Sequence, residues 1–571
     1  MSGEMPWLKS YPDGVRWDAP LQASHLSSLF GTLAQRWAER PALEFMGRRF
    51  SYAELHSLVE RCASGLHALG VRPGVHVGLF LPNTPHYIIA FFAVLRAGGV
   101  VVNYSPLDAE KTLEHKVEDS QTDFMVTLDL AALYPQMARL LQGTRLKALV
   151  VGDLAEFSGA PGPVRAHLQQ QGLLTPVTFD SQTLPFEQLV AGATSAPALE
   201  NNDPFQLAVL QYTGGTTGAP KGAMLTHANL SIAAEQIFAT GNGTRPVIEE
   251  GTERFLAVLP LFHIYALMAN MLLCFRIGAE VVLHTRFDPQ AVLKEIEAKR
   301  ITVFPGVPTM FAGLIAHPDA QTRDLTSLKF CSSGGAPLPQ QLNDDFRRLT
   351  GCDLVEGWGM TETSPTGTFT PVHGKRKAGS CGLPVPGLRV RFADVSDPSR
   401  DVPRGEAGEL VVKGPNLMTG YWRKPEATRE SLTEDGYFRT GDVGRMDEDG
   451  FIYLIDRSKD MILCSGYNVY PRNIEEAVMQ HPAVAEVIVI GIDDEYRGQS
   501  PKAFVALKPG FDAFSLDDLK VFLADKLGRH EMVQALEIRK ELPRTPVGKL
   551  SKKELYAEEK ARRTSPPEMP T

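Results

Sequence analysis

Apolar positions recur along this chain at two spacings, and the spacings alternate in a set order. Leu55, Leu58, Val59, Cys62, Leu66 and Leu69 fall three or four apart, which predicts a helix. Ser51 with Glu54 three residues later predicts its start, as a capping box. The run Val75 to Leu81 predicts a strand, closed by Pro82-Asn83-Thr84-Pro85. A second helix is expected over Tyr87 to Ala97, then Gly98-Gly99, then a strand over Val100 to Asn103. Strand, helix and strand in this order predict a mainly parallel sheet covered by helices, an α/β fold. From Met461 onward the pattern becomes that of a small α+β unit. A helix is expected over Asn473 to Gln480, with strands at Val484 to Gly491 and Ala503 to Leu507. Ser515 caps a further helix over Leu516 to Leu527, and a charged helix ends the chain. The stretch from about Gly152 to Pro204, richer in Pro, Gly, Ser and Gln, is expected to be a long surface excursion.

At 571 residues the chain is too long for one core, so at least two domains are expected. A hydrophobic share of 43% and a charged share of 22% are ordinary for a globular enzyme. A net charge of −9 argues against nucleic acid as a partner, because phosphate backbones demand a basic surface. The six cysteines are scattered without a CxxC pair, so neither a disulfide framework nor a zinc site is expected. Residues 1–11 lack a charged segment followed by an apolar one, so no signal peptide is read and a cytoplasmic location is expected. The most apolar segment, Ile264 to Phe275, falls short of the roughly twenty residues that span a bilayer. That leaves peripheral attachment to the inner membrane face open, as it does a homodimer.

The densest chemistry lies in Tyr212-Thr213-Gly214-Gly215-Thr216-Thr217-Gly218-Ala219-Pro220-Lys221-Gly222. Phe205 to Gln211 before it reads as a buried strand, and Thr226 after it opens a helical pattern. Such a loop can aim backbone N–H groups and hydroxyls at an anion, and Lys221 adds a point charge. Polyphosphate is the ligand this suggests, although the spacing is not that of a P-loop, where Ser or Thr follows Gly-Lys directly. His263, among Leu259, Leu261, Phe262 and Ile264, reads either as a hydrogen-bonded core histidine or as a switchable group beside a reacting carboxylate. Gly334-Gly335-Ala336 follows a strand, and its glycines allow a flat ring to approach the backbone. In Gly357-Trp358-Gly359-Met360-Thr361-Glu362-Thr363, Trp358 can stack on a base, Thr361 can bond a phosphate oxygen, and Glu362 can hold a hard cation such as Mg²⁺. Asp442 reads as a local turn former or as an acceptor for ribose hydroxyls. Asp456-Arg457-Ser458-Lys459-Asp460 and Lys549 read by themselves as solvated charge.

The 212–222 stretch, with Gln211 before it and Ala223-Met224-Leu225-Thr226-His227 after it, resembles the signature of the adenylate-forming superfamily. It is similar in particular to bacterial long-chain fatty acyl-CoA synthetases. The resemblance continues in order through Pro260-Leu261-Phe262-His263, Gly334-Gly335-Ala336, Trp358 to Glu362, Asp442, Arg457, Ser465 to Pro471 and Lys549. It implies a large N-terminal AMP- and acyl-binding domain of mixed sheets and helices over 1–457. A small α+β lid domain over 458–571 is implied beyond it, with a hinge near Lys459. It further implies ATP, Mg²⁺ and coenzyme A as ligands and a two-step reaction. A carboxylate first attacks the α-phosphate of ATP, releasing pyrophosphate, and a thiol then attacks the acyl-adenylate. On this resemblance Thr213, Gly214, Gly215, Thr216, Thr217, Gly218 and Lys221 handle polyphosphate, with Thr361 on a phosphate oxygen and Glu362 on Mg²⁺. Gly334, Gly335, Ala336 and Trp358 hold adenine, and Asp442 and Arg457 the ribose. His263 lies by the acyl carboxylate, Lys549 is the catalytic lysine, and Gly466 faces the CoA arm. Three departures stand out. The family usually has Tyr at Trp358, Gly528-Arg529-His530-Glu531-Met532-Val533 replaces a common Tyr-Lys-x-Pro, and no Trp gate stands near Leu267.

The resemblance therefore implies a fatty acid as substrate, and burying each methylene in an apolar tunnel would contribute roughly 0.8 kcal/mol to its binding. Medium-chain, dicarboxylic and aryl acids are the alternatives. An amino-acid adenylation domain is disfavoured, because Phe262-His263 lacks the usual aspartate. A non-catalytic lipid-binding protein would need neither Lys549, Glu362 nor Asp442.

Overall fold

The computed structural model describes residues 5–192, 196, 199, 201–213, 220–464, 467–494, 496–544 and 550–564. Two large sheets contribute to one shared apolar core. The first runs, in spatial order, Thr183–Pro185, Ala148–Gly152, Thr122–Leu128, His76–Leu79, Val100–Asn103, Leu207–Tyr212 and Gly222–Thr226. Its strands are parallel except for the last pair, as the crossover from His76–Leu79 through helix Pro85–Arg96 to Val100–Asn103 dictates. The second large sheet is built around parallel strands Glu280–Leu283, Arg254–Ala257, Val303–Gly306, Phe330–Ser333 and Leu354–Trp358.

Helix Pro85–Arg96 is buried from Pro85 to Leu95, because it is covered by elements on both sides. That explains why it is apolar all round and not striped. Tyr87 pins it between the sheets, donating to the Asn103 side chain and to the Leu261 carbonyl. Helix Tyr52–Ala68 starts at the expected capping box, with Ser51 and Glu54 each satisfying the other's backbone N–H. Asn83, in the turn after strand His76–Leu79, bonds the backbone of Ala257, Leu259 and Leu261 and so joins the two sheets at one end.

Two expectations change, and one strand was not foreseen. The segment after Gly152 is not a bare excursion. It contains helix Pro161–Gln170, strand Thr183–Pro185 at the sheet edge, and helix Phe186–Ala191 packed on helix Tyr52–Ala68. Its polar composition reflects one-sided burial at an edge. The helix expected to open at Thr226 is present, as His227–Gly241 with Thr226 its N-cap, but the residues between it and the glycine-rich stretch form a strand that the sequence did not mark. Strand Gly222–Thr226 intervenes and pairs antiparallel with Leu207–Tyr212, so residues 213–221 close a hairpin. Five residues are too few for periodicity to separate strand from helix start. Finally, the expected helix over Leu516 to Leu527 ends at Leu523.

Beyond the large sheets, four antiparallel strands, Arg389–Ala393, Gly408–Lys413, Phe438–Met446 and Ile452–Arg457, form a separate sheet. A single 3₁₀ turn, Ser458–Asp460, then leads into the small unit. Its strands Ile462–Cys464, Tyr467–Val469, Val484–Asp494, Gly498–Leu507 and Ala535–Arg539 make a sheet with its own apolar core around Ile474, Val487 and Val505. The fold is thus a large mixed α/β unit followed by a small α+β unit. Among the described residues no helix is long and apolar enough to cross a membrane, and all six cysteines are buried and unpaired by disulfides.

Candidate active site

The hairpin carries the first part of the site. At its base Tyr212 lies opposite Gly222, and the Thr213 N–H donates to the Lys221 carbonyl at 2.9 Å. Gly214, Gly215, Thr216, Thr217 and Gly218 lie outside the described residues. Tyr212 donates to an Asp119 carboxylate oxygen (2.7 Å), and the Trp422 indole N–H donates to the Asp119 carbonyl (3.1 Å). The base of the loop is therefore held from behind by a residue about ninety positions earlier. The Lys221 ammonium sits 5.0 Å over the ring of Tyr421, a cation–π distance.

Tyr421 also reaches the acid. Its hydroxyl donates to Oε1 of Glu362 at 2.8 Å. Glu362 sits in the short 3₁₀ turn Thr361–Thr363, and its carbonyl accepts from the Met418 N–H at 2.8 Å. The residue is only 6% exposed. Burial raises its pKa, while the Tyr421 hydrogen bond and the Arg457 charge pull it back down. Thr361 is half-buried beside it.

Trp358 ends the strand that precedes this turn. Its indole N–H donates to Asp442 Oδ2 at 2.8 Å, and Arg457 Nε lies 2.8 Å from Asp442 Oδ1. Asp442 and Arg457 are direct cross-strand partners in the four-stranded sheet. Asp442 is thus a strand residue, not a turn former, because the pairing runs on through it. Burial pushes its pKa up, opposed by Arg457 and by the Trp358 hydrogen bond. The indole leans on Gly367, where a Cβ would come within 2.4 Å of the ring. The loss of a tyrosine hydroxyl at this position is answered by a different donor, the indole N–H.

On the other side, Gly334 leaves strand Phe330–Ser333 with its N–H donating to the Gly306 carbonyl. A Cβ there would meet the ring of Tyr265 at 3.0 Å. Gly335 has φ +79°, and it and Ala336 are exposed. The loop's return is marked by the Leu338 N–H donating to Glu356 Oε1 (3.4 Å). Burial pushes the Glu356 carboxyl up to about 7.

His263 is half-buried at the start of the turn Ile264–Ala266, where its Nδ1 accepts from the Tyr265 N–H at 3.3 Å. That bond places the proton of the neutral ring on Nε2. A π-helical turn, Leu267–Leu272, follows, a geometry often found at functional sites. Behind His263 the Gln211 side chain donates to the Phe262 carbonyl and accepts from Asn103. A buried polar chain from Tyr87 through Asn103 and Gln211 thus fixes the hairpin strand against the histidine turn.

The structure gathers Lys221, Glu362, Asp442, Arg457 and Trp358 into one linked cluster, with Thr213 at the hairpin base, while His263 and Gly334 meet across Tyr265. Lys549 and Gly466 lie outside the described residues. The 545–549 segment is bracketed by a bridge between Arg544 and Leu550. Next to it, Lys552 lies 3.4 Å from the half-buried Glu475. Sequence reasoning missed Tyr421, Asp119, Tyr265 and Glu356. Gly420-Tyr421-Trp422 gave one usable signal, an aromatic pair after a glycine that here takes φ +145°.

Comparison with known proteins agrees with this arrangement. Residues 30–422 match the AMP-binding enzyme family, and residues 473–549 match the AMP-binding enzyme C-terminal domain. The chain is 37% identical to a long-chain-fatty-acid–CoA ligase of Bacillus subtilis (strain 168), over 98% of this chain and 99% of that one. It is 36% identical to a feruloyl-CoA synthase of Amycolatopsis sp, over 90% of this chain and 95% of that one. Among solved structures, ATP-bound MatB from Rhodopseudomonas palustris superposes with a TM-score of 0.81 at 27% identity, covering 93% of this chain and 98% of that one. With a family match across most of its length and relatives spanning nearly all of it, this chain belongs to the AMP-binding, adenylate-forming enzymes.

Proposed function

We propose that this protein is an ATP-dependent, AMP-forming ligase that joins fatty acids to coenzyme A through an acyl-adenylate. The observation that carries the reading is the linked cluster itself. A lysine-bearing hairpin, a buried carboxylate, and a Trp–Asp–Arg triad sit together, as a nucleoside triphosphate with its three chemistries requires. A carboxylate is a weak nucleophile, so the site acts mostly by positioning and by neutralising charge.

In this reading Thr213, Lys221 and the Gly214–Gly218 loop hold the β- and γ-phosphates, and Thr361 bonds a phosphate oxygen. Asp442 and Arg457 take the ribose hydroxyls. Trp358 stacks on adenine against Gly334, Gly335 and Ala336. His263, with its proton on Nε2, faces the acyl carboxylate. Lys549 neutralises charge developing at the α-phosphate. Residues 1–457 and 458–571 act as separate bodies about a hinge at Lys459, and rotation exchanges Lys549 for Gly466 at the site. The thiol of coenzyme A then displaces AMP from the acyl-adenylate.

A divalent cation fits the residues present. Glu362 offers a buried oxygen donor beside the Thr361 hydroxyl, and no cluster of three metal-ligating side chains exists among the described residues. That is the donor set Mg²⁺ uses with nucleotides, where one carboxylate is supplemented by phosphate oxygens and water. Held there by Glu362 and Thr361, such an ion would supply positive charge to offset that of the phosphates. A cytoplasmic location with peripheral contact to the inner membrane face accompanies the fatty substrate, and a homodimer is compatible with the reading.

A second reading, an aryl acid as substrate, is favoured by the similarity to the feruloyl-CoA synthase. The experiment that decides is acyl-CoA and pyrophosphate formation with ATP, Mg²⁺ and coenzyme A, across saturated acids of rising length with dicarboxylic and cinnamic acids alongside. A maximum on long chains is expected. A maximum on cinnamic acids transfers the assignment to aryl acids, and no pyrophosphate with any acid removes it.

A further inference from the structure

The segment Met418–Trp422 is laced to the site from both sides. The Met418 N–H donates to the Glu362 carbonyl (2.8 Å) and the Thr419 N–H to the Met224 carbonyl (3.0 Å). The Met224 N–H donates back to the Gly420 carbonyl (2.9 Å), and the Trp422 N–H donates to the Gly222 carbonyl (2.8 Å). Ala223 and Tyr421 form an antiparallel bridge, and the Tyr421 N–H donates to the Thr428 hydroxyl (2.9 Å). This strap is therefore an extra partner for the returning arm of the hairpin. Tyr421 is its central residue, 9% exposed, with its hydroxyl on Glu362 and its ring under Lys221.

Resting on the nucleotide assignment above, we propose that Tyr421 is a positioning residue that holds the acid and the base of the polyphosphate site apart. Lys221 and Glu362 carry opposite charges in a largely buried region, where attraction between them is strong. Paired directly, they would quench each other, and neither would be free for phosphate or cation. The tyrosine occupies the space between them. Its ring face satisfies the ammonium without neutralising it. Its hydroxyl donates to Oε1 of Glu362 and so occupies only one of the two oxygens.

Two substitutions separate these roles. Y421F keeps the ring and removes the hydroxyl, whereas Y421L removes both. The readouts are Mn²⁺ binding in the presence of ATP, followed by electron paramagnetic resonance of the free ion, and ATP binding without metal. Y421F is expected to weaken Mn²⁺ binding about tenfold, as loss of a hydrogen bond to a charged group implies. Metal-free ATP binding stays as in the wild type. Y421L is expected to weaken metal-free ATP binding as well, also about tenfold. In an E362A background the Y421F change is expected to have no further effect on Mn²⁺ affinity, because the group it acts through is gone. Wild-type Mn²⁺ affinity in Y421F, or losses that multiply in the double variant, would overturn the proposal. Wild-type pyrophosphate release with palmitate, run in parallel, tests the nucleotide assignment separately, since the binding measurements do not depend on turnover.

Discussion

The indole N–H of Trp358 donates to a carboxylate oxygen of Asp442 at 2.8 Å, across 84 residues of sequence. Asp442 is 5% exposed and has Arg457 on its other oxygen. Its two oxygens are therefore held from both sides, and if Asp442 takes the ribose as proposed, that order lowers the cost of binding. W358F keeps an aromatic face but frees one oxygen. It should raise KM for ATP several-fold with kcat little changed, as removal of uniform binding does. G367A should act in the same direction, because a Cβ at 2.4 Å from the indole forces the ring to move. Initial-rate kinetics at varied ATP check both, and an unchanged KM in both would separate Trp358 from nucleotide binding.

Glu356 titrates in the physiological range. Burial lifts its carboxyl from 4.5 to about 7, so the folded protein binds this proton more tightly than the unfolded chain. The stability linked to it is fully present below pH 4.5 and is lost as pH rises through 7, up to ~3 kcal/mol in all. E356Q should flatten this part of the stability–pH curve. Urea midpoints at pH 5.5 and 7.5 for both proteins measure it, and parallel curves would contradict it.

A buried histidine pair acts with the opposite sign. His25 and His227 stack with ring centroids 3.6 Å apart, and the Leu26 N–H donates to His227 Nδ1. Burial lowers both, His25 from 6.5 to about 4. Their contribution is therefore complete above pH 6.5 and falls as pH drops toward 4, because the unfolded chain takes up the protons first. The loss for His25 is ~3 kcal/mol. H25F, which keeps a ring on His227, should be less acid-sensitive between pH 6.5 and 4.5 than the wild type. Chemical denaturation across that range provides the test, and an equal fall in both proteins would assign acid sensitivity elsewhere.

Lys549 carries the sharpest kinetic expectation. K549A should slow acyl-adenylate formation by about 10²–10³-fold, the usual loss for one preorganised charge or donor. Thioester formation from supplied acyl-adenylate and coenzyme A should proceed near the wild-type rate. Single-turnover measurements of each half-reaction distinguish the two, and equal losses in both would remove the assigned role.

Local order was legible in the chain wherever neighbours in sequence are also neighbours in space. The Ser51–Glu54 capping box, the helix it opens and the parallel pair His76–Leu79 and Val100–Asn103 all follow from spacing. Strand Gly222–Thr226 did not, since a short apolar run is shared by strands and helix starts. Edge strand Thr183–Pro185 did not either, because one-sided burial leaves a polar sequence.

The same division runs through the site. By itself the sequence determined which chemistries are present: a glycine–threonine loop with a lysine, a Trp–Thr–Glu turn, an Asp read at a turn and an Arg in a later charge run. Only the tertiary structure decided their electrostatic states and their partners. Glu362 owes its raised pKa to burial and its orientation to a tyrosine 59 positions away. Asp442 and Arg457 become one unit through antiparallel register, and Asp119 anchors a loop base some ninety residues on. Burial and hydrogen bonding depend on distance through space, and a linear pattern reports distance only along the chain.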